Sequence, residues 1–357
     1  MNRRQKEILQ SQLDGEKDVL KELKKVYEDS LRQVEERIAV LMARKDEQNL
    51  SSIIYQLDYQ KALKKQISGI LDDLNSNQFN TISEYLTHCY ENGYIGVIYD
   101  IQGQGVPIVM PIDQEEVVAA ITVDTKLSKP LYVRLNEDIT VLKTKIAATL
   151  SRGIAQNLSY ADIAKQIAAQ SNAGMNNAFR IARTEGHRIQ EQASDDARHK
   201  AKEQGADIVK KWDAVLDGKT RTNHRLLDGQ VREIDEDFEI AGMRVKRPSA
   251  FGIASEDVGC RCTVLQIARM ELKLGFTKMN NFSKQLESFK SPQDYDTFKK
   301  SFFSEENVKY MKYVDTLQER YGTKDFKTIL NSMTDREYAH YSNLLKNNPI
   351  YNTKGEK

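Results

Sequence analysis

Apolar positions near the start of the chain recur in steps of three and four, at Leu20, Leu23, Tyr27, Leu31, Val34, Ile38 and Leu41. That spacing keeps one face of a helix turned toward a partner helix. A second periodic stretch at Leu57, Leu63, Ile67, Ile70 and Leu74 follows a polar break over 46–52. Residues 1–85 are therefore predicted to form a helical hairpin or coiled-coil arm, and pairing within the chain or with a second chain would give the same pattern. Between Tyr90 and Val133 the texture changes to β-branched and aromatic runs, YIGVIYDI, PIVMPI, AAITV and LYVRL, separated by Gly and Pro. This predicts a small mixed strand unit over 86–171. Helical spacing returns over 139–150. Ser159 and Asp162, in the order S-Y-A-D, open the helix of Ile163 and Ile167 in the manner of a capping box, and a long helix is expected over 172–205.

Residues 172–270 read as an α/β unit. Residues 208–215 have the alternation of a strand anchored by Trp212, and Asp217-Gly218 turns the chain. A short helix over 220–227, stopped by Gly229, presents His224 from one helical turn. Residues 238–245, with Ala241-Gly242 at the tip, read as a hairpin, and a Pro- and Gly-marked loop leads to Cys260 and Cys262. The last unit, 271–357, is predicted to be helical. Helix starts are marked by Ser291 before Pro292, Ser304 before Glu305, and the capping box of Thr334 and Glu337. From Gly275 onward it holds 14 of the chain's 28 aromatic residues, which read as core rather than as a stacking platform. The fold class is α+β, predominantly helical.

The length of 357 residues suits two or three folded units at about 150 residues each. The net charge of +1 gives no global field to hold nucleic acid or an anionic membrane. The first 50 residues carry 11 basic and 11 acidic side chains and no apolar core of a secretory signal. No run approaches the roughly 18 to 20 apolar residues needed to span a bilayer. Cysteine occurs only at Cys89, Cys260 and Cys262, which gives no disulfide framework and fits synthesis in a reducing cytoplasm.

Candidate chemistry is concentrated between Phe179 and Val264. The helical stripe Ala178, Ala182, Glu185, Ile189 places a carboxylate in an apolar line. A buried Glu needs a partner, and Arg221 is the expected one. His224, Cys260 and Cys262 are ligand types that zinc prefers, although no fourth ligand is evident, and two packed thiols beside a hydrogen-bonded His explain the same residues. Two further arrangements are a Cys nucleophile with His224 as base, and a nuclease-like metal site of Asp217, His224 and Asp228. Phosphate-cradling and zinc-protease motifs of the forms G-x-x-x-x-G-K-[ST], G-x-G-x-x-G and H-E-x-x-H are missing from the sequence.

The segments ARTE (182–185), KKWDAVLDGKTRTNH (210–224), LDGQ (227–230), Phe238, Pro248 and CRC (260–262), in this order and spacing, resemble the phage head morphogenesis family, the minor head proteins related to the F protein of phage Mu. The positions that carry the resemblance are Arg183, Thr184, Glu185, Trp212, Asp217, Arg221, His224, Leu227, Asp228, Gly229, Cys260 and Cys262. Gly259 stands where relatives often have Asn. The resemblance implies a minor capsid protein of a tailed double-stranded DNA phage or prophage, housed inside the head near the portal. Its implied partners are the portal protein, the scaffold or major capsid protein, and double-stranded DNA, with roles in procapsid assembly, genome packaging or DNA ejection. No cofactor is required and no residue is given a catalytic role; zinc at His224, Cys260 and Cys262 remains a candidate. The alternative is a metal-dependent enzyme, such as a nuclease or delivered effector, using the His224 and Cys260/Cys262 region. The N-terminal hairpin, through its apolar seam, is the expected portal contact.

Overall fold

A computed structural model describes residues 1–47, 53–106, 131–156 and 158–352, with Ile108, Glu115 and Ala120. Four long helices come first: α1 (Arg3–Glu47), α2 (Ile53–Gly103), α3 (Leu131–Ala155) and α4 (Tyr160–Glu203). Cross-contacts fix their directions. Asn2 and Arg4 at the start of α1 reach Asp100 and Tyr99 at the end of α2, while Tyr27 donates to Gln78 at 2.8 Å. Lys143 of α3 meets Asp72, and Arg134 of α3 meets Glu185 of α4. The result is an up-down-up-down bundle.

Apart from Leu41 and Leu57, whose side chains lie outside those described, the expected seam packs within the chain. Leu23 of α1 packs with Ile82 and Leu86 of α2, while Tyr27, Val34 and Ile38 pack with Leu63, Ile67, Leu71 and Leu74, and α3 and α4 complete this second core through Ile139, Leu142, Ile146, Ile163 and Ile167. This removes the reason for choosing the hairpin seam as the portal contact, because its apolar face is already covered.

The strand expectation for 86–171 is corrected. YIGVIYDI lies in α2 and LYVRL opens α3; PIVMPI and AAITV lie outside the described residues apart from Ile108 and Ala120. Helical packing decided the matter. Tyr90, Tyr94, Val97 and Ile101 follow helical steps of four, three and four, and they bury against the small stripe Ala193, Ala197 and Ala201 of α4. A continuous apolar contact of this kind overrides the β-propensity of individual residues. Gly93 permits the close approach, since a Cβ there would overlap the carbonyl oxygen of Gln190 and lie 3.1 Å from Ala193 Cβ. Helix α4 begins where expected, with Ser159 Oγ accepting from Asp162 N, and it runs unbroken to Glu203.

After Gly205, in the left-handed region at φ 90°, the chain enters β1 (Ile208–Asp213), then α5 (Thr222–Leu227), β2 (Val231–Arg232), β3 (Phe238–Ile240), β4 (Met243–Val245), α6 (Ala254–Asp257) and β5 (Thr263–Ala268). The order β2-β1-β5 makes an antiparallel sheet in which Trp212 stands opposite Val264. β3 and β4 form the expected hairpin, and its tip residues Ala241 and Gly242 have φ of 48° and 80°, as a tight two-residue turn requires. The sheet is tied to the bundle by Arg198, which donates to the Val264 carbonyl at 3.1 Å, and by Glu191, which accepts from Thr263 Oγ1 at 2.6 Å and from Val264 N.

The final unit opens on a β-hairpin that the purely helical expectation missed: β6 (Phe276–Asn280) with β7 (Gln285–Phe289). Its helices follow as α7 (Pro292–Phe302), α8 (Glu305–Tyr321), α9 (Phe326–Ser332), α10 (Asp335–Lys346) and α11 (Pro349–Asn352). Ser291, Ser304 and the Thr334/Glu337 capping box start α7, α8 and α10 as expected. The aromatics form a core around Phe289, Tyr295, Phe302 and Tyr310. Among the described residues, no helix is long and apolar enough to cross a membrane.

Candidate functional site

Strand β1 positions the site. Its Trp212 face packs against Phe238 and Phe251 with edge-on rings at 5.1 and 5.9 Å, while the opposite face sets Lys211 Nζ 3.8 Å above the Phe276 ring of the last unit. Asp217 then folds the chain back: its Oδ1 accepts from the backbone N of Lys219 and of Thr220, each at 3.0 Å, and Arg261 grips the carboxylate through both terminal nitrogens. Burial opposes the charge on Asp217, but Arg261 outweighs it and holds the carboxyl below its ordinary range. The turn delivers α5, and Gly229, at φ 86°, returns its backbone N to the Trp212 carbonyl at 2.9 Å.

His224, on α5, meets the CRC segment. Its Nδ1 lies 3.1 Å from Cys262 Sγ and 3.6 Å from Cys260 Sγ, and the three donor atoms fall within 4.8 Å of one another, all on buried residues. Its Nε2 lies 3.0 Å from Glu256 Oε2. A carboxylate only accepts, so in the neutral imidazole Nε2 carries the hydrogen and the Nδ1 lone pair faces the sulfurs. The Phe251 ring stacks on the imidazole at 5.0 Å. Arg221 donates to the carbonyls of Glu256 and Val258 at 2.8 and 2.6 Å, and Asn223 donates to Glu256 Oε1 at 3.0 Å, so helix α5 and the loop before Cys260 are fastened twice. A hydrogen bond from Cys262 holds the Cys260 thiol well below its ordinary value against burial; burial and the neighbouring Cys260 push Cys262 the other way. A cavity of about 300 Å³ adjoins the cluster, and Lys219, Arg221 and Arg261 are among its lining residues.

The expected Glu185–Arg221 pair does not form. Glu185 is held by Arg134 at 2.9 Å and by Arg188 at 2.8 Å, the latter one turn along the same helix. Arg183 faces outward to Glu16 at 2.8 Å, and Thr184 lines a separate cavity with Arg134 and Arg180. Asp217, His224 and Asp228 do not converge as a nuclease-like site would need. Asp228 is fully buried and accepts from Ala214 N at 2.8 Å, Lys278 Nζ at 2.7 Å and the Tyr295 hydroxyl, while Lys299 donates to its carbonyl. Asp228 is thus a joint between the signature sheet and the last unit, and Leu227 beside it is core. Glu256, Phe251, Lys278 and Tyr295 were not singled out from the sequence. They occupy no recurrent spacing relative to His224 or Asp228, and only the folded chain brings them there.

Residues 144–265 match the family described as Phage Mu protein F like protein. The chain is 33% identical over 304 residues to the NAD(+)–arginine ADP-ribosyltransferase EFV of Enterococcus faecalis, a match covering 83% of this chain and 60% of that protein. It is 25% identical over 269 residues to the minor head protein GP7 of Bacillus phage SPP1, covering 71% of this chain and 83% of that protein. The matched length is thus short of two thirds of the transferase. No solved structure matches the chain.

Proposed function

Because residues 144–265 match the Phage Mu F-like family, we propose that the chain is a minor capsid protein that works in head assembly by binding the portal protein and remaining inside the virion head. The observation that carries this reading is the similarity to a minor head protein over 71% of the chain. The roles taken by the signature residues support a structural rather than catalytic mechanism. Glu185, Trp212, Leu227 and Asp228 are spent on buried packing and ion pairs, and Asp217 and Arg221 fasten loops. Such a set makes a rigid module for assembly, and it leaves portal contact to exposed surface outside the α1–α2 seam. Scaffold or major capsid protein and packaged DNA are further contacts to be tested at the same surfaces.

The similarity to a transferase favours a second reading, in which this module is shared with delivered effectors. The two matches, at 83% and 71% of the chain, must overlap over at least half of it. A segment common to a transferase and a head protein fits a head-targeting module, with transferase chemistry outside the shared part. The composition of gradient-purified particles tests the first reading. The chain should be found in intact heads at a few copies relative to the portal, and its absence from heads that contain portal would refute it. Transfer of labelled ADP-ribose from NAD to an arginine substrate tests the second, and the isolated chain should show none.

A further inference from the structure

We infer that His224 Nδ1, Cys260 Sγ and Cys262 Sγ form a zinc centre with three protein ligands and a fourth coordination place turned to the adjoining cavity. In a tetrahedral site, Zn–N bonds of about 2.0–2.1 Å and Zn–S bonds of about 2.3 Å leave ligand atoms about 3.5 Å apart. Nδ1 already stands 3.1 and 3.6 Å from the two sulfurs, and the whole set lies within 4.8 Å. Small side-chain shifts suffice to seat the ion.

Glu256 gives the geometry its direction. Its carboxylate takes the Nε2 hydrogen at 3.0 Å, which fixes the imidazole tautomer with the Nδ1 lone pair aimed at the thiols. A carboxylate behind a histidine is the recurrent outer support of zinc ligands. Zinc meets three lone pairs at once, and the two thiol protons leave to solvent as the thiolates bind. Two thiolates and an imidazole select zinc over magnesium or calcium, which prefer oxygen.

The cavity of about 300 Å³ borders all three ligands and is also lined by Val215, Thr220 and Gly259. It leaves room for water or a small anion in the fourth place. The ion would clamp α5 onto the loop before β5, the two segments that Arg221 and Asn223 already join. This centre does not rest on portal binding, and it stands or falls separately.

The test uses the full chain, purified with a thiol reductant from zinc-supplemented medium without chelators. Mass spectrometry for metals should find about one zinc per chain, with most of it lost in a Cys260→Ser/Cys262→Ser double variant and retained in Cys89→Ser, since Cys89 is buried on α2 away from the site. As the double variant may fail to fold, cobalt replacement in the unmodified chain supplies an independent readout. It should give a thiolate-to-cobalt charge-transfer band and tetrahedral visible bands that shift on adding azide. Zinc-free protein that gives no charge-transfer band would overturn the proposal, and rapid alkylation of Cys260 in that protein would turn the cluster into a thiol nucleophile with its base. Cobalt bands that ignore azide would overturn the open fourth place.

Discussion

Replacing Asp228 by Asn removes one charge and almost no volume, at the point where the signature sheet meets the last unit. Asp228 is 0% exposed and Lys278 is 5% exposed, so neither can recover its interactions from water. Burial opposes the Lys278 charge, but Asp213 at 2.9 Å and Asp228 at 2.7 Å outweigh it and hold its pKa well above the ordinary value. Breaking one side of a buried ion pair costs about 3–5 kcal/mol. Asp213 still faces Lys278 in the variant, and the Asn carbonyl can still accept from Ala214 N. The lower end, about 3 kcal/mol, is therefore expected for Asp228→Asn. The assay is urea unfolding followed by fluorescence, because the chain has one tryptophan and it is buried in the affected sheet. The control is Glu233→Gln, whose partner Arg269 is about half exposed, with an expected cost below about 1 kcal/mol. Equal unfolding midpoints for Asp228→Asn and the unaltered chain would refute the reasoning that this carboxylate joins the two units.

Three further outcomes follow from the same structure. Gly93→Ala should lower the stability of the bundle by about 1–3 kcal/mol in chemical denaturation followed by circular dichroism, despite the better helix propensity of Ala, because the new methyl overlaps the Gln190 carbonyl; a gain in stability would show that α2 and α4 are farther apart. Hydrogen bonds from Thr334 and Tyr321, with Arg320 adding, depress the Glu337 carboxyl to about 2. A group whose folded pKa is depressed stabilises the fold above its ordinary pKa and loses that contribution as the pH falls, here from about 4.5 toward about 2. Near-ultraviolet circular dichroism of the aromatic unit should report loosening in that window, and Glu337→Gln should remove the dependence. Lys278 titrates in the opposite sense: its raised pKa contributes stability below the ordinary lysine value of 10.5 that is lost as the pH climbs through the folded value, so alkaline unfolding should begin earlier in Asp213→Asn.

Local rules that act over one or two turns were legible in the sequence. The α1 seam, the caps at Ser159, Ser291, Ser304 and Thr334, the Ala241-Gly242 hairpin and the His224 helix stopped by Gly229 each depend on neighbours within a few residues. The run over 94–101 has the β-branched and aromatic composition of a strand together with helical spacing, and the partner that makes the spacing decisive, the alanine stripe of α4, lies about 100 residues later. Glu185 pairs not with the distant Arg221 but with Arg134 and with Arg188, which sits a single turn away. In the candidate metal site the ligand types were readable, whereas Glu256 and the cavity were not, because an outer-shell carboxylate has no required position in sequence. The Asp228–Lys278–Tyr295 joint was invisible for the same reason: it crosses from the signature segment into a unit beyond it.

The most direct test of a head-assembly role is co-expression of the tagged chain with a phage portal protein, followed by size-exclusion chromatography with light scattering. The account expects co-elution at a defined ratio of chain to portal ring, retained in a variant with a polar substitution in the covered α1 seam that still folds. A clean monomer that ignores assembled portal would contradict it.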